Sequence, residues 1–190
     1  MAKYTALDIA NWFLRYNEIM MIEAGADYLS LEKLQLLMYY AQGFYMATCS
    51  NLDLYPDAIC SGPLGVYIES VFRKYEKCRL EEMKCDDDFG LCDIDEAVNN
   101  MLEQVYDRFA QYSCWKLYSM IQHETPWLNT IDGQEIDKCE IERYFSENHI
   151  EDLHGCETPT NDHEESSLGV VSRWEWRGRT YILYEVPDQR

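Results

Sequence analysis

The sequence predicts a mainly α (α+β) fold, a compact bundle of about six helices with one short extended segment and a C-terminal β-hairpin. Three observations carry that prediction. Apolar side chains recur at three- and four-residue spacing in successive stretches up to Asn148, with turn formers between them. Residues 57–61 are short and are bounded by Pro56 and Gly62–Pro63. Val170–Trp176 and Thr180–Val186 are aromatic and β-branched and meet across Arg177–Gly178. At 190 residues, with 47% hydrophobic and 14% aromatic content, the chain can bury one core, and its length suggests one domain with an appendage at roughly 150 residues per domain.

Thr5 and Asp8 form a capping box with Asp in place of Glu, and Ile9, Phe13, Tyr16 and Met20 follow at helical spacing, which gives a first helix over 6–22. Gly25–Ala26–Asp27 breaks it. Ser30 caps a second helix over 31–48, where Leu31, Leu34, Leu37, Met38, Ala41 and Tyr45 trace an apolar stripe. Tyr39, Tyr40 and Phe44 spread apolar surface to its other faces, so this helix is expected at the centre of the bundle. Residues 57–61 read as extended, and Gly62–Pro63 turns the chain into a third helix over 66–77. That helix buries Val66, Ile68, Val71, Phe72 and Tyr75 and ends in Arg73, Lys74 and Lys77. The charged stretch 79–92 reads as a solvated loop or frayed helix end. Asp93, with Glu96 three residues on, caps a fourth helix running to Tyr112 on Val98, Met101, Leu102, Val105 and Phe109. Ser113 opens a fifth, Cys114–Gln122, which must stop before Pro126 because the residue before proline avoids the helical region. His123–Trp127 is therefore a helix-terminating turn. Asp137 and Glu140 cap a sixth helix over 138–147 that buries Ile141, Tyr144 and Phe145.

These elements divide the chain into a helical domain over 1–148, an acidic flexible linker over 149–167 and a β-hairpin extension over 168–190. The linker holds too few apolar groups to offset its ordering entropy. A lone hairpin is marginal in water, so it must dock. It either pairs with residues 57–61 or adds strands to a partner's sheet edge through Trp174, Trp176, Tyr181 and Tyr184.

Sixteen Lys and Arg stand against 35 Asp and Glu, a net charge of −19. Residues 1–78 carry 6 basic and 9 acidic groups, and residues 79–190 carry 10 and 26, so the acid belongs to the second half. Such a field repels phosphate backbones and anionic lipid, which argues against direct nucleic-acid or membrane binding. It reads as a solubilising surface or as a docking face for a basic partner. No apolar run spans a bilayer and the N-terminus lacks the features of a signal peptide, so a cytoplasmic protein with reduced thiols is expected.

The eight cysteines form no CxxC pair, and the seven-residue recurrence of Cys78, Cys85 and Cys92 crosses Asp86–Asp88 and Gly90, which do not suit a regular helical face. His149, His154, Cys156 and His163 match no zinc spacing, so no metal and no cofactor are expected. Phosphate-cradling and nucleophile-elbow motifs are absent from the sequence. A cysteine nucleophile served by His123 has no ordering motif behind it.

Three segments occur together in an unusual combination. Lys33-Leu34-Gln35-Leu36-Leu37-Met38-Tyr39-Tyr40-Ala41-Gln42-Gly43 lies within Leu31–Tyr45, Gly62–Pro63 follows about twenty residues later, and His123–Trp127 has the pattern H-x-x-P-W. Together with the helix over Ile136–Phe145, these resemble the signature of Panacea-domain (SocA-like) proteins across residues 5–147. The chain departs from that pattern at Ile59 and Cys60–Ser61, and after the Gly-Pro turn at Gly65–Tyr67 and Val71–Phe72. The resemblance implies a mostly helical domain of bacterial and phage toxin–antitoxin pairs that neutralises a cognate toxin by direct binding. In one branch it implies an adaptor that delivers the toxin to a protease. It implies no enzymatic reaction.

Leu34, Leu37, Met38 and Ala41 are core by spacing, whereas Lys33, Gln35, Tyr39 and Gln42 cannot share that stripe and need partners if buried. In the internal reading, Gln42 or Tyr39 ties down the Gly62–Pro63 turn and Trp127 plugs the bundle, with His123, Pro126 and Trp127 as a structural turn. In the external reading, Lys33, Gln35, Tyr39 and Arg73 line a toxin-facing groove, with Gln42 beside them as a further partner-binding residue. Two rival functions are an acidic nucleic-acid mimic that occupies a DNA-binding enzyme and an unrecognised cysteine hydrolase. The mimic should lose affinity steeply with salt, and the hydrolase needs a thiol of depressed pKa.

Overall fold

Thr5 starts the chain's first helix as its side chain predicts. In the computed structural model, which describes residues 2–49, 52–62 and 65–148 and the backbone of Val170–Trp176 and Arg179–Tyr184, the Thr5 hydroxyl oxygen accepts the Asp8 amide at 3.2 Å. The Asp8 carboxylate accepts the Thr5 amide at 2.8 Å. Helix α1 (Ala6–Ala24) ends at Gly25, whose φ of 69° is the left-handed conformation that a residue without a Cβ adopts at least cost. Ser30 then caps α2 (Leu31–Thr48) by accepting the Lys33 amide at 3.2 Å. Every residue of α2 from Leu34 to Phe44 is buried, so the helix is covered on all sides, as an all-round apolar helix must be.

Strand β1 (Cys60–Gly62) pairs antiparallel with β2 (Gly65–Tyr67), with Ser61 opposite Val66. This corrects the expected start of the third helix. Val66 and Tyr67 are strand residues, favoured there by β-branched and aromatic side chains, and α3 is shortened to Glu69–Tyr75. The other edge of β1 is also taken: Ser61 donates its amide to the Gln134 carbonyl at 2.9 Å, and the Ile59 carbonyl accepts the Ile136 amide at 2.8 Å. Both edges of this short segment are therefore engaged by backbone partners of its own unit.

The acidic stretch after α3 is ordered by two 3₁₀ turns, Leu80–Glu82 and Leu91–Asp93, and it buries Met83 and Cys85. Asp93 accepts the Gly90 amide within its own turn instead of capping the fourth helix, so α4 (Glu96–Phe109) begins later, after Asp95. Ser113 caps α5 (Cys114–Ile121) through the Lys116 amide. The turn over His123–Trp127 is itself partly helical. Pro126 lacks an amide proton but needs none in a first turn, and α6 (Thr125–Leu128) forms around it. Asp137 accepts the Cys139 amide at 2.8 Å and starts α7 (Lys138–Asn148).

The described residues thus form a mainly helical protein with a short antiparallel sheet. Its core cluster draws on side chains from Tyr4 to Phe145. Rings from three helices meet at its centre: Tyr40 stacks on Phe109 at 4.0 Å, and Phe44 meets Phe145 edge-on at 5.2 Å. Trp12 stacks on Tyr16 at 4.8 Å on the α1 side. The chain divides into two units, Met1–Cys156 and Glu157–Arg190. In the second, β3 (Val170–Trp176) pairs antiparallel with β4 (Arg179–Tyr184), with Trp174 opposite Tyr181 and an irregularity between Val170 and Ser172. The expected linker over 149–167 and the Arg177–Gly178 turn lie outside the described residues. Among the described residues no helix is long and apolar enough to cross a membrane.

Candidate functional site

The polar residues of α2 each reach a different element. Lys33, half buried, donates from Nζ to the Ala110 carbonyl at 2.5 Å, placing a cation on the C-terminal end of α4 where the helix dipole favours it. Burial pulls its pKa down. Gln35 accepts the Ile68 amide at 2.8 Å and so pins the junction between β2 and α3. Gln42 accepts the amides of Leu54 at 3.1 Å and Tyr55 at 3.2 Å, while its Nε2 donates to Asp53 at 3.2 Å. Lys138 of α7 holds the second oxygen of Asp53 at 3.1 Å, so Gln42, Asp53 and Lys138 form one chain from α2 to α7.

Tyr39 and Tyr40 converge on one acceptor, Glu124, a carboxylate only 4% exposed. Their hydroxyls donate to its two oxygens at 2.8 Å and 2.9 Å. Burial first, and the adjacent Glu124 charge second, push both phenols well above their ordinary pKa, so both stay protonated donors. Tyr144 of α7 is pushed up to about 12 by its own burial and by Glu124. Glu124 precedes α6, and its tyrosines therefore lock the α5–α6 corner onto the central helix.

Tyr39 and Gln42 are thus interior residues whose polar atoms are engaged within the molecule, whereas Gln35, buried and accepting the Ile68 amide, also lines the small groove between the start of α2 and the β2–α3 segment. Gln42 reaches Leu54 and Tyr55 instead of the Gly62–Pro63 turn, and Tyr39 reaches α6. Gly62 is buried at the end of β1, and Pro63 lies outside the described residues. Arg73 is exposed on α3, with its guanidinium on Glu69. His123 is exposed and donates from Nδ1 to the Ser119 carbonyl at 2.6 Å, a contact that stabilises the end of α5. Pro126 is buried, whereas Trp127 is only half buried and rests beside Tyr118 instead of plugging the bundle.

Sequence reasoning named the donors of this interior but missed their acceptor. Glu124 sits between His123 and Pro126, inside a motif that had drawn attention for its other residues. Nor did the sequence single out Asn11, whose Oδ1 accepts the Asp86 amide at 3.1 Å, or Asn17, which bridges the Tyr106 hydroxyl and the Asp27 carbonyl.

The surface differs in character. Trp115 is 73% exposed, and Leu128 at the end of α6 and Ile131 beyond it are largely exposed. Burial pushes the thiols of Cys60, Cys85 and Cys114 above their ordinary pKa, opposite to the shift that activates a nucleophile. Among the described residues no group of three or more His, Cys, Asp or Glu is placed to hold a metal ion. The residues His149, His154, Cys156 and His163 lie outside the described residues. No family model, no curated protein and no solved structure matches this chain.

Proposed function

We propose that this chain is a non-enzymatic, antitoxin-like binding protein that neutralises a cognate toxin by direct contact, with delivery of that toxin to a protease as a further step. The observation that carries the reading is the combination of the Lys33–Gly43 motif with its H-x-x-P-W partner. In the fold these two segments meet at Glu124, where Tyr39 and Tyr40 hold the motif's own corner. That contact explains why the two segments would occur together: they are halves of one internal joint. A scaffold knitted from inside leaves its exterior free to vary with the partner, which suits a domain that pairs with unrelated toxins. The exposed Trp115 of α5 is of a residue type that anchors such interfaces.

The test is growth rescue. The product of the adjacent gene, expressed alone, should arrest growth, and co-expression of the full chain should restore it. An adjacent product that is harmless, or an arrest that the full chain does not relieve, contradicts the reading. A net charge of −19 favours a second reading, an acidic mimic of nucleic acid. That reading predicts a complex that dissociates steeply with salt.

A further inference from the structure

Within the unit Glu157–Arg190 the described sheet is the two-stranded hairpin β3–β4. Two strands alone are marginal in water, whereas three or more with an apolar face are stable. Register decides which residues share a face. Ser172 stands opposite Leu183, Trp174 opposite Tyr181 and Trp176 opposite Arg179, and because alternate residues of a strand fall on the same face, these six share one. Arg173 opposite Ile182 and Glu175 opposite Thr180 fall on the other. The hairpin therefore has one face dominated by aromatic residues and one that carries an alternating charge along β3. Among the described residues neither strand pairs with a third, so each keeps one edge of unpaired backbone groups, the template on which another strand adds.

Charge along the edge selects the added strand. Over Ser172-Arg173-Trp174-Glu175-Trp176, β3 carries one cation and one anion placed symmetrically about Trp174. Two copies of β3 laid edge to edge about a two-fold axis perpendicular to the sheet run antiparallel, and with the axis at Trp174 each Arg173 falls opposite the Glu175 of the other copy. Opposite charges directly across two strands attract, and like charges there repel. A register centred on Arg173 or on Glu175 sets that residue against its own copy, like charge on like. The β4 edge has no such complement, since centring on Tyr181 sets Arg179 opposite Leu183 and Thr180 opposite Ile182. The axis also keeps the aromatic faces of both copies on one side, so four strands in the order β4, β3, β3, β4 clear the limit for independent stability. We infer that the free edge of β3 is a homodimer interface, on which a second copy of this chain adds its own β3 antiparallel, centred on Trp174, with Arg173 and Glu175 in two reciprocal opposite-charge pairs. Two copies repel through their net charge of −19, but at physiological ionic strength that field falls off within about 8 Å. The pairing is independent of the antitoxin reading.

Sedimentation equilibrium of the full chain in about 0.15 M salt should find a dimer. Arg173→Glu and Glu175→Arg each set like charges opposite one another in both symmetric pairs, and each should weaken dimerisation about tenfold or more. An equimolar mixture of the two variants restores opposite charges at both positions and should form a heterodimer about as tight as the wild-type dimer. The double variant Arg173→Glu/Glu175→Arg restores them within one chain and should dimerise like the wild type. Unchanged helical circular dichroism and thermal midpoint verify that every variant is folded. A monomeric wild type, a dimer that neither single variant weakens, or a mixture that stays as weakly associated as its components overturns the proposal. A weakened double variant overturns it as well, because the effect of the single variants is then not one of charge pairing across β3.

Discussion

A carboxylate taken out of water survives only with its oxygens hydrogen-bonded, and Glu124 receives a phenol on each. Glu124→Ala leaves two buried hydroxyls without their acceptor and should cost roughly 2–4 kcal/mol, read from urea unfolding. Tyr39→Phe removes one donor from a buried charge and should cost about 1.5–3 kcal/mol in the same measurement. The buried phenols also set an alkaline limit. Tyr39, Tyr40 and Tyr55 titrate far above their unfolded value near 10, and Tyr106 is pushed up to about 12 by burial. Their protons are held in both states below pH 10, so stability is whole there. Above pH 10 the unfolded chain releases protons that the folded one keeps, and stability should fall by about 1.4 kcal/mol per pH unit for each such tyrosine. Flat urea midpoints between pH 9 and about 11 would contradict this. The sequence could say that Lys33, Gln35, Tyr39 and Gln42 lie off the apolar stripe and need partners. It could not name those partners, because the distance from Tyr39 to Glu124 is 85 positions along the chain, and only folding brings them together.

At the scale of elements, α2 and α7 cross closely enough that a Cβ on Gly43 would run into the Phe145 ring. Gly43→Ala therefore sets a gain of about 1 kcal/mol in helix propensity against overpacking of about 1–3 kcal/mol. We expect net destabilisation that Phe145→Leu in the same chain partly reverses, measured as a double-mutant cycle. A more stable Gly43→Ala protein would mean that the crossing is looser than described. Helices with side-chain signals at their ends were legible: Thr5 with Asp8, Ser30, Ser113 and Asp137 all mark real starts. Where two patterns compete, local reading failed. Val66, Tyr67 and Ile68 suit a strand or a helix by composition, and pairing with β1 decides for the strand up to Tyr67. Asp93 carries a cap signal but uses it in a 3₁₀ turn, and Pro126 reads equally as a stop or as a first helical turn.

For the whole molecule, the core cluster ends at Phe145, within the unit Met1–Cys156. A chain cut after Cys156 should keep its helical circular dichroism and a cooperative thermal transition within a few degrees of the full protein. Loss of cooperativity would show that the second unit is part of the fold's stability. The charge imbalance was legible from the sequence. The exposure of Trp115 was not, because it depends on how α5 packs against α2. The most direct test of the antitoxin account is native mass spectrometry of this chain co-expressed with the product of the adjacent gene, at low and at high salt. The account predicts a stoichiometric heterocomplex that survives high salt. Two separate proteins at both salt concentrations, or a complex found only at low salt, would contradict it.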